Sequence, residues 1–218
     1  AIGARVVALC NGGGYAEYVA VPAGQVLPLP RGLTLSTGAA LPEAYFTIQQ
    51  TLVLRAGLAQ GQTVLIHGAA GGLGGAAICI ARVYGANPIA VVSSADKAAY
   101  AKSLGAWAVI DRSRENLVER VRALTGNRGA DRIVDIVGGD TLAQNLEAAA
   151  VEAHILLLAT LSGAPADINA SLIVGKRLTL HGSTLRPQPP AVKAAIAASL
   201  AETVWPALAA GTIPAPRI

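Results

Sequence analysis

A chain of 218 residues that is 53% hydrophobic and only 14% charged can bury one sizeable core, which excludes a disordered or low-complexity polypeptide. Its 17 Lys and Arg against 13 Asp and Glu leave a net charge of +4, scattered without a basic stripe or interleaved aromatics, so nucleic acid is not expected as a main partner. Cys10 and Cys79 alone make neither a disulfide framework nor a metal spacing and suit a reducing cytoplasm, and no apolar run approaches the roughly 18–20 residues of a membrane span.

The first residues, Ala1 to Leu9, read as a turn feeding a strand rather than as a signal peptide. Arg5–Leu9 and Tyr15–Val21 are expected as short strands around Asn11-Gly-Gly-Gly14, and Pro22, Pro28 and Pro30 then break the chain. This antiparallel material has no partners to close a sheet. Ser36 to Arg55 reads as helical, with Ser36 as N-cap and Pro42 as a break or restart.

The apolar run Thr63–His67 stops at Gly68-Ala-Ala-Gly-Gly-Leu-Gly74, and Gly72–Tyr84 continues with helical spacing. Strand, glycine turn and helix in that order present backbone N–H groups to a pyrophosphate. Gly68 and Gly71 let the chain turn close to the phosphates, and Gly74 lets the helix pack tightly on its strand. Strand-like runs then alternate with helical ones: Pro88–Val92, Ala95–Leu104, Ala108–Asp111, Arg114–Thr125, Arg132–Val137, Thr141–Val151, His154–Ala159 and Leu178–Gly182. The strands lack polar alternation, as expected when helices cover both faces. The connection from His154 to Leu178 shows no clear helix, and Pro189–Ala210 is a further helix. The expected class is α/β: a Rossmann doubly wound parallel sheet of six strands. Its expected divisions are residues 1–35, 36–188 as the dinucleotide-binding domain, and 189–218.

The second strand of this series ends at Ser93 and Ser94, with Asp96 and Lys97 just inside the next helix. NAD-selective sites place an acid at the strand tip to accept from the ribose hydroxyls, whereas hydroxyls with a cation suit a 2′-phosphate. NADP(H) is therefore the expected cofactor. Arg112 stands within reach of the same phosphate; an ordinary exposed arginine is an equal reading, and for Ser94 so is a helix cap. His67, His154 and His181 lie on or beside core strands and read as satisfied core histidines.

Five motifs occur in order: Asn11-Gly-Gly-Gly-Tyr-Ala-Glu-Tyr-Val19, Ala39-Ala-Leu-Pro-Glu-Ala-Tyr-Phe-Thr47, the glycine loop, Asp135-Ile-Val-Gly-Gly139 and Lys176-Arg-Leu-Thr-Leu-His-Gly-Ser-Thr-Leu-Arg186. With them the chain resembles the zinc-independent quinone oxidoreductase branch of the medium-chain dehydrogenase/reductases. The resemblance implies that residues 1–35 are the last part of a GroES-like catalytic domain, that 189–218 lead back towards it, and that family members extend beyond both ends. It implies that Ala70, Gly71, Gly72, Leu73 and Gly74 cradle the pyrophosphate. Ser93 or Ser94, with Lys97, would hold the 2′-phosphate. Arg112 stands where relatives often carry Tyr. Thr47 would lie by the nicotinamide, Thr160, Leu161 and Ser162 would flank it, and Val137 and Gly138 would lie at the carboxyl edge after the fourth strand, where ligands sit.

The implied reaction is hydride transfer from NADPH to a quinone or another α,β-unsaturated carbonyl, by a cytoplasmic homodimer joined through the Rossmann domain. No metal is implied, and no catalytic acid–base set stands out; Glu43 and Tyr45 are the nearest polar candidates. Two other readings remain: an enoyl thioester reductase, and a non-catalytic NADPH-binding protein.

Overall fold

The computed structural model describes residues 2–217. Two strands, β1 (Val6–Ala8) and β2 (Val26–Pro28), pair antiparallel near the N-terminus, with Val7 opposite Leu27. The expected second strand at Tyr15–Val21 does not form: that stretch finds no ladder partner, and Tyr15 and Tyr18 are exposed. The pairing goes instead to the segment between Pro22 and Pro30.

Helix α1 (Leu35–Ala39) is capped by Thr34, not Ser36; the Thr34 hydroxyl accepts from the Thr37 amide at 3.1 Å. Helix α2 (Pro42–Ile48) restarts at Pro42, where the missing N–H is harmless in the first turn. Glu43 lies in that first turn, where it suits the helix dipole. A π-helical segment, Gln49–Arg55, continues α2.

The rest is the expected βαβ series. In chain order come β3 (Thr63–Ile66), α3 (Gly72–Val83), β4 (Asn87–Val92), α4 (Ala95–Ser103), β5 (Ala108–Asp111), α5 (Leu117–Leu124), β6 (Ala130–Asp135), α6 (Thr141–Ala148), β7 (Ala149–Leu157), α7 (Ala170–Lys176), β8 (Thr179–Gly182) and α8 (Pro190–Ala209). Six parallel strands lie in the order β5-β4-β3-β6-β7-β8. The order reverses direction between β3 and β6, and a crevice opens there at the strands' carboxyl ends.

Several boundaries differ from expectation. The connection before β8 does contain a helix, α7, capped by the Asn169 side chain on the Ser171 amide at 3.0 Å. It has no buried residues, so it shows no core-facing stripe in the sequence. Helix α6 stops at Ala148, three residues early, because Ala149 already pairs with Ala130 of β6 across a register shift. At 20 residues α8 is, contrary to expectation, long and apolar enough to match a membrane span by length and composition. It nevertheless buries Ile196, Leu200, Val204 and Leu208 in the protein, and Trp205 donates its indole N–H to the Pro28 carbonyl at 2.8 Å.

Strand residues alternate between the two covered faces. Val64 and Ile66 join Phe46, Ile78, Leu156 and Leu200 on one side. Leu65 joins Ile89, Ile110, Ile133 and Ile155 on the other. Cys79 is buried in the first of these clusters.

His154 and His181 lie on neighbouring strands with Nδ1 and Nε2 2.9 Å apart and rings stacked at 5.0 Å. Burial, then the Arg132 charge for His154 and the Arg55 charge for His181, pulls both below the ordinary histidine range. The folded chain thus holds them neutral, and the unfolded chain binds protons first as pH falls. Their contribution to stability is complete above about pH 6.5 and is lost on acidification. The unfolding temperature is expected to fall between about pH 7 and pH 5, and less steeply in His154→Gln/His181→Gln. Equal slopes in scanning calorimetry would count against this pair.

Candidate functional site

The crevice between β3 and β6 is a cleft of about 790 Å³. Its floor is the turn from β3 into α3. Gly68 takes φ +61°, and a Cβ there would lie 2.5 Å from Ile136 Cδ1. Gly74 packs against the strand end: an added Cβ would stand 2.5 Å from Ala69 Cα. This backbone-on-backbone contact is the close helix–strand packing expected of Gly74. Helix α3 has no side-chain cap at Gly71, so no N-cap side chain satisfies its first-turn N–H groups at the positive end of the helix dipole.

Ala70, Gly71 and Gly72 line the cleft, as do Ser93, Lys97, Arg112 and Val137. At the tip of β4 the Lys97 ammonium donates to the Ser93 hydroxyl at 3.0 Å. Ser94 faces differently: it is the N-cap of α4, its hydroxyl accepting from the Lys97 amide at 3.4 Å. Lys97, Arg112 and Arg217 bring three cations to the lining against one carboxylate, Asp96. Arg217 also lies over the Tyr100 ring, 5.8 Å from its centre.

Other expected site residues lie beside the cleft rather than in its lining. Leu73 packs on the core, and the Thr47 hydroxyl donates to the Glu43 carbonyl at 2.7 Å, a bond within its own helix. Gly138, Thr160, Leu161 and Ser162 form two adjoining loops after β6 and β7. The Ser162 amide donates to the Val137 carbonyl at 2.8 Å, and its hydroxyl lies 3.0 Å from the Gly138 carbonyl. Leu161 is 77% exposed.

A buried carboxylate fixes the first of these loops. Asp135, fully buried, accepts from the amides of Val137 at 2.7 Å and Gly138 at 3.1 Å. It also accepts from the Thr141 hydroxyl at 2.9 Å and the Asn145 amide at 2.8 Å. Asn145 Oδ1 in turn stands 2.7 Å from His67 Nε2. His67 is 2% exposed and is satisfied on that side, as expected, but it also lines the cleft. Burial lowers its pKa, outweighing the neighbouring Asp135 charge.

Besides Tyr45, a polar candidate in the sequence, the lining holds Cys79, Tyr100 and the segment Pro214–Arg217, which sequence reasoning did not place there. They come from α2, the inner face of α3, α4 and the residues after α8, and no local motif joins them. Burial, reinforced by the Cys79 thiol, pushes the Tyr45 phenol far above its usual range, so it keeps its proton at neutral pH. Among the described residues there is no cluster of three or more His, Cys, Asp or Glu able to hold a metal ion.

Residues 72–201 match the model of the zinc-binding dehydrogenase family. The chain is 36% identical to a quinone oxidoreductase-like protein 2 homolog of Nematostella vectensis, over 83% of this chain and 50% of that protein. It is 37% identical to crotonyl-CoA reductase of Streptomyces collinus, over 70% of this chain and 38% of that protein. The structure of Escherichia coli quinone oxidoreductase complexed with NADPH superimposes with a TM-score of 0.75 at 26% identity, covering 90% of this chain and 60% of that one. The chain spans about half the length of the quinone oxidoreductase relatives it matches.

Proposed function

This chain belongs to the zinc-binding dehydrogenase family, on the quinone oxidoreductase branch of the medium-chain dehydrogenase/reductases, and from that premise we propose that it binds NADPH for reduction of a quinone or a related α,β-unsaturated carbonyl. The observation that carries this reading is the Ser93–Lys97 pair at the mouth of the glycine-loop cleft. A hydroxyl already held by an ammonium at the tip of the second strand is suited to a 2′-phosphate, and the adjoining Arg112 and Arg217 favour the same charge.

In this reading the first-turn amides of α3, with Ala70, Gly71, Gly72, Leu73 and Gly74 around them, take the pyrophosphate. Ser93, Lys97 and Arg112 take the 2′-phosphate, with Ser94 supporting Lys97 through its cap. Val137, Gly138, Thr160, Leu161 and Ser162 form the nicotinamide end, and Thr47 approaches it from α2. When bound, the nicotinamide supplies the hydride from its C4. The chain's part is to orient that ring and exclude water, and no zinc is needed for it. We assign residues 1–35 and 189–218 to the GroES-like side of the molecule, and read the protein as cytoplasmic. Strand β8 ends the sheet, and its open edge suits a homodimer, which gel filtration would detect as twice the chain's mass.

Similarity to a crotonyl-CoA reductase supports a second reading, an enoyl thioester as acceptor. NADPH oxidation with 1,2-naphthoquinone and with crotonyl-CoA separates the two: turnover of the thioester alone overturns the quinone reading, and binding without turnover of either leaves a nucleotide-binding protein. For the cofactor, Lys97→Ala is expected to weaken NADPH about 10-fold or more and NADH less than about 2-fold, since one charge-assisted bond is at stake. Equal losses in fluorescence titration would show that Lys97 does not read the 2′-phosphate.

A further inference from the structure

His67 lines the cleft with a chemistry that hydride transfer as outlined leaves unused. The direction of its hydrogen bonds is set from the buried end of the network. The Asp135 carboxylate only accepts, so Asn145 turns its amide nitrogen towards it. That leaves Asn145 Oδ1 facing His67 Nε2 at 2.7 Å, and an amide oxygen can only accept. The imidazole proton therefore sits on Nε2. Burial keeps the ring neutral, so Nδ1 carries a lone pair. Among the described residues Nδ1 has no hydrogen-bond partner. It is also absent from the fully enclosed side-chain atoms that lack a hydrogen-bond partner, Gln49 Oε1 and Gln50 Oε1 among them. An unpaired acceptor in a residue 2% exposed thus keeps access to the cleft.

We infer that His67 Nδ1 is a ligand-binding acceptor that takes a ribose hydroxyl of the dinucleotide. The inference rests on the dinucleotide reading of the cleft. Such a ligand has donors only at its ribose hydroxyls, its carboxamide and its adenine amine; its phosphates only accept. His67 stands one residue before Gly68, beside the loop that faces the pyrophosphate, and the ribose hydroxyls are the donors nearest to a pyrophosphate. A phosphate oxygen in the same place would set acceptor against acceptor.

The test titrates the full chain and His67→Phe with NADPH and with analogues that each lack one ribose hydroxyl. The unsubstituted chain is expected to bind one analogue about 3–10-fold more weakly than NADPH, the worth of one hydrogen bond. His67→Phe should bind NADPH more weakly by a similar factor and lose nothing further with that analogue. If every analogue binds the unsubstituted chain as NADPH does, or if His67→Phe weakens all ligands equally, the inference is overturned while the dinucleotide reading stands. Failure of the unsubstituted chain to bind NADPH overturns both. Should His67→Phe not fold, ¹⁵N spectra of the histidines in the unsubstituted chain decide the matter. They must show the Nε2–H tautomer and an Nδ1 resonance that moves with NADPH and not with the discriminating analogue. An Nδ1–H tautomer overturns the inference.

Discussion

Asp135→Ala is expected to lower stability by about 3–5 kcal/mol, because it strands two backbone amides and a carboxamide that now share one buried acceptor, while the Thr141 hydroxyl keeps the Gly138 carbonyl. Each buried donor left unsatisfied costs about 1–3 kcal/mol, and the sum is discounted because water can enter the space vacated. For a domain of this size the unfolding temperature should drop by roughly 6–20 °C. A drop of less than about 3 °C in calorimetry would mean that the carboxylate is dispensable. Asp135→Asn is the sharper variant. Its oxygen can still serve the Val137 and Gly138 amides, but its nitrogen then faces the Asn145 amide, donor against donor. Asn145 is expected to flip, present its nitrogen to His67, and drive the imidazole into the opposite tautomer. Stability should recover in part, and NADPH binding should not recover with it.

Gly74→Ala is the second substitution with a large expected effect. The new methyl would meet Ala69 Cα at 2.5 Å, and neither backbone can yield without moving helix α3 off strand β3. Overpacking of a core contact costs about 1–3 kcal/mol, and more where backbone must shift, so a loss of about 3 kcal/mol is expected. NADPH affinity should fall as well, because the displaced helix carries the amides proposed to take the pyrophosphate. Gly72→Ala is the control: an added Cβ there has nothing within 4 Å, so thermal stability should be unchanged. If Gly74→Ala melts like Gly72→Ala, the close packing is not what requires glycine.

From β3 onward the order of strands and helices, α7 excepted, could be read from the sequence because apolar strand runs alternate with helical spacings closed by turn residues. The glycine loop was legible for the same reason: strand, turn and helix are contiguous. What escaped were features decided at a distance. Tyr15–Val21 has strand-forming residues but no partner, whereas Val26–Pro28, interrupted by proline, has β1. Helix α7 was hidden because it buries no residue, so its apolar pattern carries no period. The π-helical turn at Gln49 depends on how that segment meets α3 and α8: the Gln49 amide donates to the Tyr84 and Ser199 hydroxyls, both at 2.8 Å. In the cleft, Ser93 and Lys97 were legible as neighbours in sequence. His67 was legible only as a core histidine, because Asn145 lies 78 residues away and nothing in the sequence announces the bond.

Strand β3 sits between β4 and β6 in the sheet, and this has a consequence for how the chain acquires its structure. Val64 pairs with Pro88 on one side and with Arg132 on the other. The first contact closes a short loop; the second must wait until the chain is much longer, since parallel pairing over that separation is slow to nucleate. During synthesis β3, β4 and β5 can therefore assemble as an early unit with one edge of β3 bare. That edge is the strand most exposed to wrong association before β6 arrives. Hydrogen-exchange labelling during refolding should protect Ile66 and Ile89, whose amides pair within β3 and β4, before Ile133 and Ile155.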